Sequence, residues 1–197
     1  MVLLNYPLTL SFKVLSIGPQ ISVTDSTGRL VAYVKQKALR LKEDVSVFAD
    51  EGQQELLYRI QADRAFDFNA NYSITQADGM RLGSVRREGG RSLWKATYQI
   101  VDASGMNVGL VHEENPWLKL ADALANQVPG VGLVSGYFLN PAYLVDLNGA
   151  TVLRVKKQPA FLEGRFSVEK RGEAAASSES LMLPSVITTV LLERDRG

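Results

Sequence analysis

Residues that could carry acid–base or nucleophilic chemistry are few in this chain of 197 residues. His112 is the only histidine, and there is no cysteine. A Ser-His-Asp triad would have to be built around His112, but GLVSG at 132–136 does not have the spacing of a nucleophile elbow. GVGLVS lacks the third glycine of a dinucleotide loop, and no P-loop occurs. We therefore interpret His112 as a structural histidine at a strand end, and we predict that the protein is not an enzyme.

Two groups of carboxylates have simple structural interpretations. Glu113 and Glu114 stand just before Asn115-Pro116, a typical start of a helix, where the helix dipole favours negative charge. The segment 146–149, DLNG, resembles the start of a calcium loop, but no acidic ligand follows at the required distance, and a hairpin turn explains it. We expect neither a metal site nor a cofactor.

Basic side chains form the remaining candidate site. They fall in two segments, VRREGGRSLWK and KQKALRLK. The residues are Arg86, Arg87, Arg91 and Lys95 in the first segment, and Lys35, Lys37, Arg40 and Lys42 in the second. Such side chains can hold phosphate groups by charge-assisted hydrogen bonds, but basic residues also protect the edges of sheets. The lipid-binding interpretation gains weight if the fold brings both segments to one rim.

The composition fits one globular domain over residues 1–197. Lys and Arg total 22 against 21 for Asp and Glu, so the net charge of +1 gives no general attraction to nucleic acid. The absence of cysteine fits a reducing compartment, and MVLLNYPLTLSFK has no basic segment of the kind that opens a signal peptide. We expect a cytoplasmic protein with no transmembrane segment.

A repeat organises most of the chain. In each copy an aliphatic or aromatic residue is followed, six or seven positions later, by a glycine in a polar turn, and then six positions on by an apolar residue. The copies are Ile21-Gly28-Val34, Val45-Gly52-Tyr58, Tyr72-Gly79-Val85, Tyr98-Gly105-Val111 and Tyr143-Gly149-Val155. Glycine accepts the positive φ of a hairpin turn, and the flanks alternate β-branched or aromatic residues with polar ones. Each copy therefore predicts a β-hairpin.

Five hairpins and two further strands, Leu8–Val14 and Phe161–Val168, predict about twelve strands. The glycine spacing is too short for propeller blades, so an all-β closed antiparallel barrel is the better fit. ENPWLKLADALANQVPG interrupts the pattern and predicts one surface helix near 116–127, with Asn115 as its N-cap.

The end of the chain predicts a buried helix. Residues 181–192 carry no charge, and their eight large apolar side chains point in nearly every direction on a helix. Twelve helical residues rise about 18 Å, which is too short to cross the ~30 Å hydrocarbon core of a membrane. About twelve strands enclose more space than inward side chains fill, so we expect this helix to occupy the barrel. We expect 172–180 to be a flexible connection, and residues 193–196 to emerge at the far mouth.

The hairpins YSITQADGMRLGSVRR and YQIVDASGMNVGLVHEENPW, the segment PAYLVDLNGATVLRVKKQPAFLEGRFSVEK and the closing apolar helix resemble the LURP-one-related family. That family is similar in fold to the Tubby C-terminal domain and the phospholipid scramblases. The resemblance covers about residues 6–196 and implies a twelve-stranded barrel around a C-terminal helix. It also implies lipid binding, because Tubby domains bind phosphoinositide head groups. The chain lacks the cysteine cluster and the membrane-spanning tail of scramblases.

The sequence thus favours a binding or adaptor module for anionic phospholipid head groups, at a membrane surface in the cytoplasm. The alternative is a protein-interaction scaffold with no small-molecule ligand, which would use Trp117 and the surface helix or the 172–180 segment. Neither the net charge nor an aromatic stacking platform predicts nucleic-acid binding.

Overall fold

The fold was described from a computed structural model, which places residues 4–13, 20–35, 44–64, 70–88, 97–115, 142–158 and 164–194. Twelve antiparallel strands form a closed barrel in which each strand pairs with the next along the chain, and the last pairs with the first. The strands are β1 Leu8–Lys13, β2 Gln20–Thr24, β3 Leu30–Lys35, β4 Asp44–Phe48, β5 Leu56–Ala62, β6 Asn71–Gln76, β7 Arg81–Arg87, β8 Thr97–Asp102, β9 Asn107–Glu113, β10 Ala142–Leu147, β11 Ala150–Gln158 and β12 Arg165–Lys170. The predicted barrel is confirmed, whereas the predicted surface helix near 116–127 lies outside the described residues.

The five repeats are the five hairpins. In four copies the two apolar residues of the repeat face each other across the hairpin, and these pairs are Ile21 and Val34, Tyr72 and Val85, Tyr98 and Val111, and Tyr143 and Val155. The second copy differs, since Val45 pairs with Ile60. The register of every hairpin shifts two residues after the first apolar position, as between Ile74 and Thr75. A β-bulge bends a strand, so the repeat encodes curvature as well as pairing.

Most turn glycines have the positive φ that the sequence predicts. Gly28, Gly79 and Gly105 lie at φ of 82° to 88°, and the N–H of each donates to the carbonyl three residues earlier. The prediction was wrong for Gly52, because Gln53 takes the positive φ instead, at 60°. The turn that contains Gln53 is longer, since the N–H of Ala49 donates to the carbonyl of Glu55.

The helix Ala176–Arg194 fills the barrel. Every residue from Leu181 to Leu191 is buried, as expected for a helix that is apolar on all sides. The helix begins earlier than predicted, so residues 176–180 are its first turn and are not a flexible connection. The Ser178 hydroxyl accepts a hydrogen bond from Asn148 Nδ2 at 3.2 Å, which ties this turn to the β10–β11 hairpin.

The barrel wall approaches the helix closely where a strand carries glycine. A Cβ added at Gly83 on β7 would lie 3.0 Å from Leu181 Cδ2 and 2.2 Å from the Val101 carbonyl oxygen. Most inward positions carry larger apolar side chains, such as Leu8, Leu10 and Phe12 on β1, all of which are fully buried. The interior is therefore occupied jointly by the helix and by the inner face of the sheet.

The two ends of the barrel differ in their connections. All five hairpin turns lie at one end, which we call the hairpin end. The other connections between successive strands leave and enter at the opposite end, which we call the loop end, where β3 finishes at Lys35 and β7 finishes at Arg87. The helix starts at the hairpin end, beside Asn148, and finishes at the loop end, where Glu193 contacts Tyr98.

Candidate functional site

The topology brings the described residues of the two predicted basic segments to the same end of the barrel. Lys35 is the last residue of β3, and Arg86 and Arg87 are the last two residues of β7, so all three lie at the loop end. The other candidates, Lys37, Arg40, Lys42, Arg91 and Lys95, lie outside the described residues. Four of the twelve strand steps separate β3 from β7, which places the two groups about a third of the circumference apart.

Arg86 keeps its positive charge on the outer face of the barrel. Its Nη2 donates to Gln99 Oε1 at 2.9 Å, and the amide of Gln99 donates in turn to Glu88 Oε1 at 3.4 Å. A neutral amide orients the guanidinium without neutralising it. Arg86 and Lys35 are both exposed, and neither forms a salt bridge with a carboxylate of the described residues. Both side chains can therefore meet an anion from solution.

A third basic group lies at the same end, and sequence reasoning missed it. Lys156 and Lys157 come just before Gln158, the last residue of β11, and Arg165 begins β12, where it faces Gln158 across the strand pair. Arg165 also faces Ser11 on β1, and the pairing continues from Lys13 through Gln20 to Lys35. The arc from β11 to β3 therefore carries exposed basic side chains on four strands; they are Lys156, Lys157, Arg165, Lys13 and Lys35. We call this set the basic arc.

His112 is engaged at both ring nitrogens. Nδ1 lies 3.1 Å from the carbonyl oxygen of Glu113, and Nε2 lies 3.0 Å from Asp146 Oδ2. The other carboxylate oxygen of Asp146 accepts a hydrogen bond from Thr151 Oγ1 at 2.6 Å. The contact between Nε2 and the Asp146 carboxylate ties β9 to β10. His112 is a hydrogen-bonded histidine near the end of a strand, as the sequence predicts.

The adjacent carboxylates have separate roles. Glu113 is the last residue of β9 and is buried. Glu114 accepts hydrogen bonds from Arg154 Nε at 3.0 Å and from Nη2 at 2.8 Å. These hydrogen bonds lower the pKa of the Glu114 carboxyl, so it stays ionised. The two carboxylates therefore lie in different surroundings, one buried and one bound to Arg154.

The last turn of the helix is held by a clasp that the sequence did not reveal. Tyr143 donates a hydrogen bond to Glu193 Oε2 at 2.8 Å, and Tyr98 donates to the other oxygen, Oε1. Burial raises the pKa of Tyr143 strongly, and the neighbouring carboxylate of Glu193 raises it further. Glu193 lies at the far mouth of the barrel, where the sequence places it, and its carboxylate is half-buried between the two phenols. Its side chain fastens the helix to β8 and β10.

No protein family model matches the chain, and no curated protein matches it either. No helix among the described residues is both long enough and apolar enough to span a membrane. Within the same parts of the chain, no three His, Asp or Glu side chains are grouped so that they could hold a metal ion.

Proposed function

We propose that the protein is a non-enzymatic binding module that holds anionic phospholipid head groups at the loop end of the barrel. The observation that carries this proposal is the convergence of separate basic segments on one end. Lys35 and the pair Arg86 and Arg87 reach that end from the two predicted clusters, and Lys157 and Arg165 join them from β11 and β12.

The filled interior supports an external site. The helix and the inward side chains of the wall occupy the barrel, as the burial of all residues from Leu181 to Leu191 indicates. An extended ligand has no room beside the helix along this stretch. A head group that approaches the outside of the loop end needs no such room, and its acyl chains stay in the membrane.

The chemistry of the basic residues fits phosphate. Arg86 presents a planar guanidinium that can bind two phosphate oxygens at once, whereas Lys35 and Lys157 add mobile point charges. Each basic residue near an anionic membrane surface contributes about 1 kcal/mol, so several residues on one end favour binding together. We infer a peripheral, cytoplasmic location at such a surface.

The resemblance to the LURP-one-related family supports the same proposal. The twelve-stranded barrel around a C-terminal helix is the fold that this resemblance implies. Tubby domains, which are similar in fold to that family, bind phosphoinositides. We propose that the chain belongs to this group.

Liposome co-sedimentation tests the proposal. The purified protein is mixed with neutral vesicles or with vesicles that contain phosphatidylserine, cardiolipin or a phosphoinositide, at low and at physiological salt. We expect binding to one anionic composition to survive physiological salt. The triple variant Arg86→Ala, Arg87→Ala, Arg91→Ala and the double variant Lys157→Ala, Arg165→Ala should each lose most of it.

A matched control distinguishes binding at a specific basic site from attraction by the positive charge of the whole protein. The double variant Arg59→Ala, Arg81→Ala also removes two exposed arginines, but from the middle of β5 and from the hairpin end. It should bind as the unmodified protein does. If the control variant lost vesicle binding to the same extent, the change in net charge would explain the loss and no specific site would be needed. Failure of the unmodified protein to bind any anionic vesicle would overturn the proposal. The protein-interaction scaffold would then be the better account.

A further inference from the structure

The hairpin end carries an apolar feature that the proposed lipid site does not use. Met80 and Met106 are 54% and 66% exposed, and they are the exposed large hydrophobic residues of the described chain. Each directly follows the turn glycine of its hairpin, β6–β7 or β8–β9. The two hairpins are neighbours, because β7 pairs with β8 from Gly83 and Asp102 onward. The two methionines therefore lie at equivalent places on adjacent turns.

The fold does not require methionine at these positions. In the β2–β3 hairpin, the residue after the turn glycine is Arg29, which forms an ion pair with Asp25 at 3.2 Å. The turn hydrogen bonds are the same in the two cases, since Gly28 donates to Asp25 as Gly105 donates to Asp102. A polar side chain is thus compatible with the turn, and exposed thioethers there need another explanation.

Acidic side chains share the hairpin end with the methionines. Among the described residues at this end, five carboxylates have no ion-pair partner, and they are Asp50, Glu55, Asp78, Asp102 and Glu179. Arg81 is the one basic residue at this end that likewise has no ion-pair partner among the described residues. Hydrogen bonds lower the pKa of Asp50, chiefly from the N–H of Glu55, and that of Asp102, chiefly from Ser104. Both carboxylates are therefore ionised at neutral pH. The hairpin end is negative and the loop end carries the basic arc.

We propose that the hairpin end is a docking surface for a basic, amphipathic segment of a partner protein. Unbranched, polarisable methionine side chains adapt to varied apolar partners, and an amphipathic helix presents such partners on one face. Basic residues beside that face complement the unpaired carboxylates, which speeds association and selects basic partners. Met80 comes just before β7 and Arg86 lies near the end of the same strand, so a strand length separates the methionines from the arginines of the proposed lipid site, and both can be occupied together. The inference does not depend on the lipid proposal.

A defined peptide tests the docking surface. The probe is a fluorescent amphipathic peptide of about 18 residues, made of Leu and Lys, which spans roughly five helical turns. A peptide of the same composition with scrambled order has no apolar face. Fluorescence anisotropy should show saturable binding of the amphipathic peptide and binding at least about tenfold weaker for the scrambled one.

Two variants of the protein divide the apolar and the electrostatic contributions. Met80→Ser with Met106→Ser should weaken binding at least about tenfold, as expected when apolar anchors are lost. Glu55→Gln with Glu179→Gln should weaken binding at low salt and reduce its dependence on salt. Gln20→Ser with Gln158→Ser, at the loop end, is the control and should leave the affinity unchanged.

Several results would overturn the proposal. Equal affinity in the methionine variant would show that Met80 and Met106 are not anchors. If the scrambled peptide bound as tightly as the amphipathic one, charge alone would explain the interaction and an apolar face would not be needed. Sedimentation velocity of the protein without peptide tests whether a second copy of the chain occupies this surface instead. Self-association that disappears in the methionine variant would assign the surface to a second copy of the chain.

Discussion

Ile187 offers a quantitative test of the packing between the helix and the barrel. It lies near the middle of the buried part of the helix and is fully buried. Ile187→Ala removes three carbon atoms, which lose about 2.4 kcal/mol of transfer free energy at ~0.8 kcal/mol each. The surrounding wall is a closed hydrogen-bonded sheet that cannot move inward on one side alone. A cavity should therefore persist and bring the total loss of unfolding free energy to about 3–5 kcal/mol.

The assay is urea denaturation followed by far-UV circular dichroism at constant temperature. The midpoint and slope give the free energy of unfolding, and the slope shows whether unfolding stays two-state. A loss of this size is a large part of the ~5–15 kcal/mol of a typical domain, so the variant should fold but at a lower midpoint. Met106→Ala, at an exposed position, is the control and should change the free energy by less than about 0.5 kcal/mol.

A small loss in Ile187→Ala would refute the packing argument. If the unfolding free energy falls by less than about 1 kcal/mol, the helix does not sit in a closely packed interior.

Three further predictions concern the end of the chain, the clasp and one turn. A chain that ends at Ser180 loses burial that contributes ~12–24 kcal/mol as an upper estimate, so it should be insoluble or show no cooperative thermal transition; a soluble, cooperatively melting product would contradict this. Tyr143→Phe removes one donor from the Glu193 carboxylate and should cost about 1–3 kcal/mol in urea denaturation, whereas Tyr58→Phe should cost less; equal effects would argue against the clasp. Asp25 accepts hydrogen bonds from Thr27, from the N–H and Nε of Arg29 and from Asn5, which lower its pKa from 3.8 to about 2. Because the pKa of Asp25 is lower in the folded state, the ionised carboxylate stabilises the fold above pH ~4, and this contribution is lost as the pH falls to ~2. The difference in unfolding free energy between Asp25→Asn and the unmodified protein should therefore shrink from pH ~4 to pH ~2. A difference that stays constant would contradict the lowered pKa of Asp25.

The strands were predictable because their signals are local. Turn glycines, Asp or Asn beside them, and alternating apolar residues lie within about fifteen residues of each other in every repeat, and together they predict a hairpin. The β12 strand shows the limit of this reasoning. It was expected at Phe161–Val168 and lies at Arg165–Lys170, since the boundary depends on pairing with β1 and β11.

The C-terminal helix was predictable for a different reason. A charge-free apolar run too short for a membrane has to be buried within the protein. Its first turn was missed because Ala176, Ser178 and Glu179 carry no apolar pattern, and the turn is fixed instead by contact with Asn148.

The clasp and the basic arc depend on contacts between distant parts of the chain. Tyr98 and Glu193 are 95 residues apart, and only the closed barrel brings them together. Lys13 and Arg165 come from opposite ends of the sequence and share one end of the barrel because β1 pairs with β12, where Ser11 faces Arg165. Local patterns identify clusters such as Arg86 and Arg87, but they cannot show which clusters share an end of the barrel.

Native-state hydrogen exchange tests the central claim, that the barrel is folded around its C-terminal helix. Exchange is measured on the intact protein by NMR or mass spectrometry, and the free energy of opening at residues 185–191 is compared with the free energy of global unfolding from urea denaturation. We predict that the two free energies agree, so that these amides exchange only when the barrel itself unfolds. Exchange of the helix at a much lower free energy, while the inward strands stay protected, would show that the helix leaves a barrel that stands without it.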